Sequence, residues 1–201
     1  RMSMLAYYII YVVGSFQMVS PIMTVMTVMQ LIGSMALPLG TSKFGKKRYM
    51  LFNNIAQIVS MVLLFILPAS NLVFLFGLNA IIGFTNAAAN ITFGMMSDSI
   101  EYGDWKHGVR NVGLSVSTLM LAVNAATAIT GSIGILLLDK TGYVANAVQS
   151  AQTLVGINML VNIAPAILAF ISAIILLFYK IDKKMLDQIA KDLDARKAKA
   201  E

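Results

Sequence analysis

Four stretches of the chain, 2–42, 49–97, 111–138 and 141–179, contain no Asp, Glu, Lys or Arg. A helix on the outside of a soluble core needs a charged face, and uncharged runs this long leave no room for one. Crossing a hydrocarbon layer about 30 Å thick takes roughly 20 helical residues at about 1.5 Å each. The first run holds a break between Gly14 and Pro21 and then predicts a full span over 21–40. What precedes the break, 2–13, is too short to cross and reads as the second half of a helix. The second run predicts two spans, 49–67 and 73–96, turning at Pro68-Ala69-Ser70-Asn71, a loop composition. One more span is predicted over 111–138, and a last one from 153 to 179 after a polar linker. The pattern predicts an all-α polytopic membrane protein with five full spans and a partial first helix.

Composition strengthens that reading. Hydrophobic residues make up 58% of the 201, and charged residues only 12%, about half the share of a soluble domain, roughly 25%. A soluble globular enzyme, a nucleic-acid-binding domain and a disordered chain are excluded. Cysteine is absent, so neither a disulfide framework nor a thiolate metal site is available. The net charge of +6 reflects topology: 13 of the 15 Lys/Arg fall within 43–48, 106–110 and 180–199. With the predicted spans, these three segments emerge on one side of the membrane. The positive-inside rule makes that side cytoplasmic. The expectation is a multi-pass plasma-membrane protein with loops 41–48 and 97–110 and a tail, 180–201, in the cytoplasm. Arg1, a first residue other than Met set against apolar sequence, reads as a cut end.

Polar groups at membrane depth need a partner in protein or in a wet cavity. Gln30 and Gln57 fall near the middle of their predicted spans. Asn86 and Asn90, four apart, and Asn124 and Thr127, three apart, each pair on one helical face near mid-span. Asn158 and Asn162 form a further pair nearer the outer end of the last span. Amides also serve helix packing, at about 0.6 kcal/mol each. As a set, neutral donors and acceptors on several helices at one depth suit a ligand rich in hydroxyls and poor in charge, which is a sugar. Tyr7, Tyr8 and Tyr11 on the partial helix suit the same ligand by stacking, with an outer aromatic belt as the alternative. The candidate substrate-binding residues are Tyr7, Gln30, Asn86, Asn90, Asn124 and Thr127. No complete span contains Asp, Glu, His, Lys or Arg. Intramembrane enzyme chemistry has no residues to work with, and neither does binding of a coupling cation.

The charged segments suggest a gate. Asp98, Glu101, Tyr102, Asp104, Trp105, Lys106 and Arg110 are packed into a short stretch where a span ends. Asp98 and Glu101 are poised to pair with Arg110 and to part when one half of a transporter rocks against another; a solvated segment anchored by Trp and Tyr is the plainer alternative. With Lys43, Arg48 and Trp105 these make the candidate cytoplasmic gate. In the tail, Ile181, Met185, Leu186, Ile189 and Leu193 form one narrow apolar stripe. That suits a helix lying on the anionic inner leaflet, or a frayed solvated tail.

The segment from Gly40 to Arg48 resembles the loop motif of the major facilitator superfamily, with Ser42 where the motif carries an acid. The stretch from Asp98 to Arg110 is similar to the Asp-x-x-Glu/Asp-Tyr-x-x-Trp/Tyr-Lys-x-x-x-Arg signature of the glycoside–pentoside–hexuronide:cation symporters, the family of the melibiose permease. The run from Tyr7 to Gly14, the segment from Gly142 to Asn146, Pro165 and the segment from Tyr179 to Ile189 resemble the same family. The resemblance implies the carboxyl-terminal six-helix half, 1–179, of a twelve-helix fold that imports sugar with Na⁺ or H⁺ by alternating access. It implies a sugar substrate, an amino-terminal half of the same transporter as partner, and a coupling cation held in that absent half; no other cofactor and no nucleic acid are expected. Asn124 stands where the family often has a lysine, Val112 where it has a glutamate, and Ala89 where the melibiose permease has an aromatic. A non-transporting membrane scaffold or sensor is the alternative.

Overall fold

The computed structural model describes residues 1–145 and 147–198. All regular elements among them are helical: α1 Met2–Val12, α2 Phe16–Phe44, α3 Lys46–Ile66, α4 Leu72–His107, α5 Val112–Lys140, α6 Ala151–Leu177 and α7 Lys183–Ala198. Five of these, α2 to α6, are long and apolar enough to span a bilayer, and α1 is a shorter apolar piece. This is the predicted plan of five spans plus a partial helix.

Local chemistry sets the breaks. Gly45 stands between α2 and α3 with φ 79° and ψ 153°, a conformation that interrupts the helix and that a side chain would resist. Asn71 caps α4, its Oδ1 accepting from the Val73 and Phe74 N–H groups at 3.1 and 3.4 Å. Ser150 does the same for α6 by accepting from the Thr153 N–H at 3.2 Å. Gly108, at φ 67°, closes α4 in the left-handed conformation.

The helices run past the predicted spans, which corrects the placing of both basic loops. Residues 41–48 are helical on either side of Gly45, and 97–107 are the end of α4. Backbone hydrogen bonding does not stop where charge begins. At about 1.5 Å per residue, α4's 36 residues reach about 54 Å, well beyond a hydrocarbon layer of about 30 Å. Its charged last turns therefore extend past the length that a hydrocarbon layer requires.

Packing centres on α2 against α4, with α3 inserted against both α4 and α6. A Cβ on Gly33 would lie 3.1 Å from both the Phe84 carbonyl carbon and the Ala87 Cβ, and one on Gly83 would lie 2.8 Å from the Met26 Cα. Small residues let the two backbones approach where lipid supplies no hydrophobic drive. One apolar core joins Leu5, Tyr8 and Ile9 of α1 to Ile22, Met26, Met61, Leu64, Leu75, Ile82, Ile157 and Val161. A second, smaller core gathers Ala88, Ile91, Met95 and Leu176 toward the charged end. Helix α5 stands apart, with Leu138 its one buried residue.

The tail is helical over Lys183–Ala198, as the apolar stripe predicts. Helix α7 folds back onto the end of α4, with Ile189 fully buried. The Trp105 Nε1–H donates to Asp192 Oδ2 at 2.8 Å, and Arg196 donates to the Asp104 and Trp105 carbonyls at 3.3 and 3.2 Å. A cation beside the carbonyls at a helix C-terminus is favourable. Trp105 is the chain's one tryptophan, so removing α7 should move its fluorescence to longer wavelength as water replaces the docked helix. Unchanged emission would show that the contact does not persist in solution.

Candidate functional site

Two clusters of polar side chains stand out, one in mid-bundle and one at the charged end. In mid-bundle, Asn86 Nδ2 donates to Gln30 Oε1 at 3.5 Å, joining α4 to α2. Asn86 and Gln57 also line a cavity of about 150 Å³, walled by Met26, Met61, Ile82 and Pro165. Arg1 reaches into the same cavity. Its guanidinium donates to Asn79 Oδ1 at 2.9 Å and contacts the Met26 sulfur at 3.9 Å. Asn79 is fully buried and bonds back to the Leu75 carbonyl. Sequence reasoning treated Arg1 as a stray end charge and passed over Asn79; only the packing of α1 against α4 reveals the pair.

The other predicted mid-span residues do not join this cluster. Asn90 is exposed, although four residues from Asn86. Residues 87–90 form a 3₁₀ turn, so four residues carry Asn90 about 120° around the axis instead of the ~40° of an α-helix, and the two leave their common face. Asn124 and Thr127 lie on the exposed flank of α5, and the Thr127 hydroxyl is returned to the Val123 carbonyl at 2.8 Å. Asn158 and Asn162 serve packing: Asn162 donates to Asn158 Oδ1 at 2.8 Å, and Asn158 to the Phe65 carbonyl at 3.4 Å. Tyr7 packs edge-on against Tyr143 at 5.4 Å, and the Tyr11 and Tyr143 hydroxyls are 3.0 Å apart. This ties α1 to the 141–150 linker. The bond to Tyr11, then burial, push the Tyr143 phenol up to about 12. Of the segment expected to follow Gly142, Asn146 lies outside the described residues.

A groove of about 530 Å³ on α2 adds residues that the sequence reading missed. Ser20, Thr24 and Thr27 line it together with Phe16 and Met23. Their spacing places three hydroxyls on one helical face, a signal present in the sequence but obscured by its low polarity.

At the charged end the expected pairing of Asp98 and Glu101 with Arg110 is not formed. Asp98 Oδ1 instead accepts from Lys46 Nζ at 2.6 Å, and its Oδ2 from the Tyr179 hydroxyl at 3.3 Å. Lys46 also donates to the Gly94 carbonyl at 3.3 Å. Its neighbour Lys47 donates to the Leu177 and Tyr179 carbonyls, at 2.8 and 2.7 Å, and closes the end of α6. Arg110 lies beyond the reversal at Gly108, exposed, so the chain carries it away from Asp98. Lys46 and Asp98 form an ion pair across α3 and α4. Glu101, Arg110, Lys43 and Arg48 form none, Lys43 resting over the Phe44 ring at 5.5 Å.

Burial first, and then the charge of Asp98 and the bond to it, hold the Tyr179 phenol above its ordinary value of 10. A raised phenol pKa means that the stability Tyr179 contributes is complete below pH 10 and is lost only as alkali titrates it. The Tyr179–Asp98 bond should therefore be indifferent to pH between about 6 and 9. A tyrosinate absorbance rise from Tyr179 in that window would contradict it.

Residues 1–183 match the family model for MFS/sugar transport proteins. The chain belongs to that family. It is 32% identical over 196 residues to the uncharacterized symporter YjmB of Bacillus subtilis (strain 168), covering 96% of this chain and 42% of that protein. It is 34% identical over 148 residues to the isoprimeverose transporter of Lactiplantibacillus pentosus, covering 73% of this chain and 31% of that one. A third relative, the uncharacterized symporter YnaJ of Bacillus subtilis (strain 168), is 31% identical over 157 residues, or 76% of this chain and 33% of that protein. The chain thus spans less than half the length of these relatives. This MFS/sugar transport family member is a multi-pass membrane protein of a transporter family, not of an enzyme family. Its mid-bundle amides are groups suited to bind, with no nucleophile or acid–base pair among them.

Proposed function

We propose that the chain is the carboxyl-terminal half of a sugar:cation symporter that works by alternating access, with Na⁺ or H⁺ bound by carboxylates in the amino-terminal half. The observation that carries this reading is the Gln30–Asn86 bond at mid-span beside a cavity that Gln57 and Asn86 share with apolar walls, in a bundle with no acid in 2–42, 49–97, 111–138 or 141–179. Sugars are recognised by neutral amides, and binding near the midplane between two halves is the arrangement alternating access requires. Helix α5, exposed along its length, supplies the surface against which the other half would close, with Asn124, Thr127 and Asn90 facing outward from this half as further sugar contacts. The unpaired charges Glu101, Arg110, Lys43 and Arg48 are the gate groups offered to the opposite half, while Asp98 and Trp105 hold their own half rigid.

Uptake by the full-length parent tests this. Gln30→Leu or Asn86→Leu should raise the sugar KM about tenfold, the loss of one buried hydrogen bond, about 1–1.5 kcal/mol. Asn124→Leu should impair uptake as well, and normal uptake would remove Asn124 from the site. Uptake indifferent to both a Na⁺ and a proton gradient would defeat the symport reading. For the gate, Glu101→Gln or Arg110→Gln should change the transport rate more than sugar affinity, and an unchanged rate would make them merely solvated.

A further inference from the structure

Helix α2 presents two unlike faces. On one, Ile22 and Met26 are buried and Gly33 lies against Ala87 of α4. On the other, Ser20, Thr24 and Thr27 are exposed, at i, i+4 and i+7 of a single helical face. They line the groove of about 530 Å³ together with Phe16, the first residue of α2, whose side chain is 75% exposed. Small-molecule sites occupy roughly 300–1,000 Å³, so the groove has room for a sugar.

A hydroxyl on a spanning helix that has no water beside it turns to the carbonyl one turn back. Thr27 does so, donating to the Met23 carbonyl at 2.9 Å. Ser20 and Thr24 do not, and among the described residues neither hydroxyl has a hydrogen-bond partner. Both therefore keep a donor and acceptor for a molecule outside the bundle. The row also has a direction. From Ser20 it runs about 15 Å along the axis to Gln30, which is half-buried and holds Asn86. Past Gln30 the exposed positions turn apolar, at Leu31, Ile32, Met35 and Leu39. The hydroxyls thus lead from one end of α2 to the mid-bundle amides and stop there.

We propose that this face of α2 is a wet path by which a neutral glycoside approaches the Gln30–Asn86 pair. The path opens at the outer face, because the basic end of α2 at Lys43 takes the cytoplasmic side. The Phe16 ring meets the C–H face of the sugar, and its hydroxyls pass from Ser20 to Thr24 and on to Gln30. This rests on the sugar-transport reading and extends it from the place of binding to the route of approach. Ser20 and Thr24 touch the sugar in passage, so they set how fast it arrives and not how tightly it is finally held.

The full-length parent, freed of any cysteine, carries the test, since this chain has none of its own. Ser20→Cys and Thr24→Cys should react with a membrane-impermeant thiol reagent added outside cells, and methyl β-D-glucoside or methyl β-D-xyloside should slow the reaction. Ile22→Cys, fully buried, is the silent control. Ser20→Val combined with Thr24→Val should lower uptake of the same glycosides at low concentration about tenfold, the worth of two neutral hydrogen bonds. Equilibrium binding by calorimetry should stay unchanged in that variant. No reaction at either cysteine overturns the path, because the face then lies against lipid or protein. Reaction that neither glycoside slows overturns its role for sugar. A double variant that weakens binding as much as uptake overturns the role in passage and makes these residues part of the site. If the parent takes up neither glycoside although both cysteines react, the sugar reading of the mid-bundle amides fails, and the sugar path falls with it.

Discussion

Gly83→Leu is expected to prise α4 from α2 and to lower the melting temperature of the detergent-solubilised protein by roughly 5–10 °C. The reason is that its new Cβ would sit 2.8 Å from the Met26 Cα and 3.0 Å from its carbonyl carbon. Those are backbone atoms, which cannot rotate out of the way as a side-chain tip would. Overpacking a close contact costs about 1–3 kcal/mol, and for a chain of this size each kcal/mol is worth about 2–4 °C. Gly77 supplies the control. It lies on the same helix, yet nothing stands within 4 Å of where its Cβ would be. Gly77→Leu should therefore leave the melting temperature close to that of the parent. Equal losses at the two positions would mean that the added side chain itself, and not the α2–α4 approach, explains the effect, because Gly→Leu raises helix propensity at both.

The second large effect is expected at Asp98. Asp98→Asn removes the charge facing Lys46 but keeps an oxygen for the Tyr179 hydroxyl, so it isolates the ion pair. The Asp98 side chain is only 9% exposed and that of Lys46 35%. Stripping the partner from a fully buried charge costs about 3–5 kcal/mol. The partial exposure of Lys46 lets water replace some of that, leaving a loss of about 1–2 kcal/mol. Because α3, α4 and α6 all meet at this cluster, the loss should be read as a lower melting temperature of the whole bundle. Lys46→Met together with Asp98→Asn should be less damaging than Asp98→Asn alone, because no unpaired cation then remains. A double variant that melts as low as the sum of the two single variants would show that Lys46 and Asp98 act independently.

The candidate site was partly legible beforehand. Mid-span amides are conspicuous in a bilayer, where each must find a partner, so Gln30 and Asn86 declared themselves by composition alone. Asn90 did not follow, because one 3₁₀ turn between it and Asn86 altered the helical period on which its placing relied. At the charged end the pairing expected from the sequence is not the one formed. Glu101 and Arg110 are close in sequence, yet Asp98 found Lys46 at a separation of 52 residues.

What the chain alone determined is therefore the set of helices. Inside a bilayer every backbone group must be satisfied within its own segment, so span number, the interruption at Gly45 and the cap at Asn71 are local matters that composition displays. The choice of partners belongs to the tertiary structure. Arg1 with Asn79, Lys46 with Asp98 and Trp105 with Asp192 each join distant parts of the chain. Which helix lies beside which is decided by where two backbones can approach most closely, as at Gly33 and Gly83, and no single helix carries that information in its own sequence.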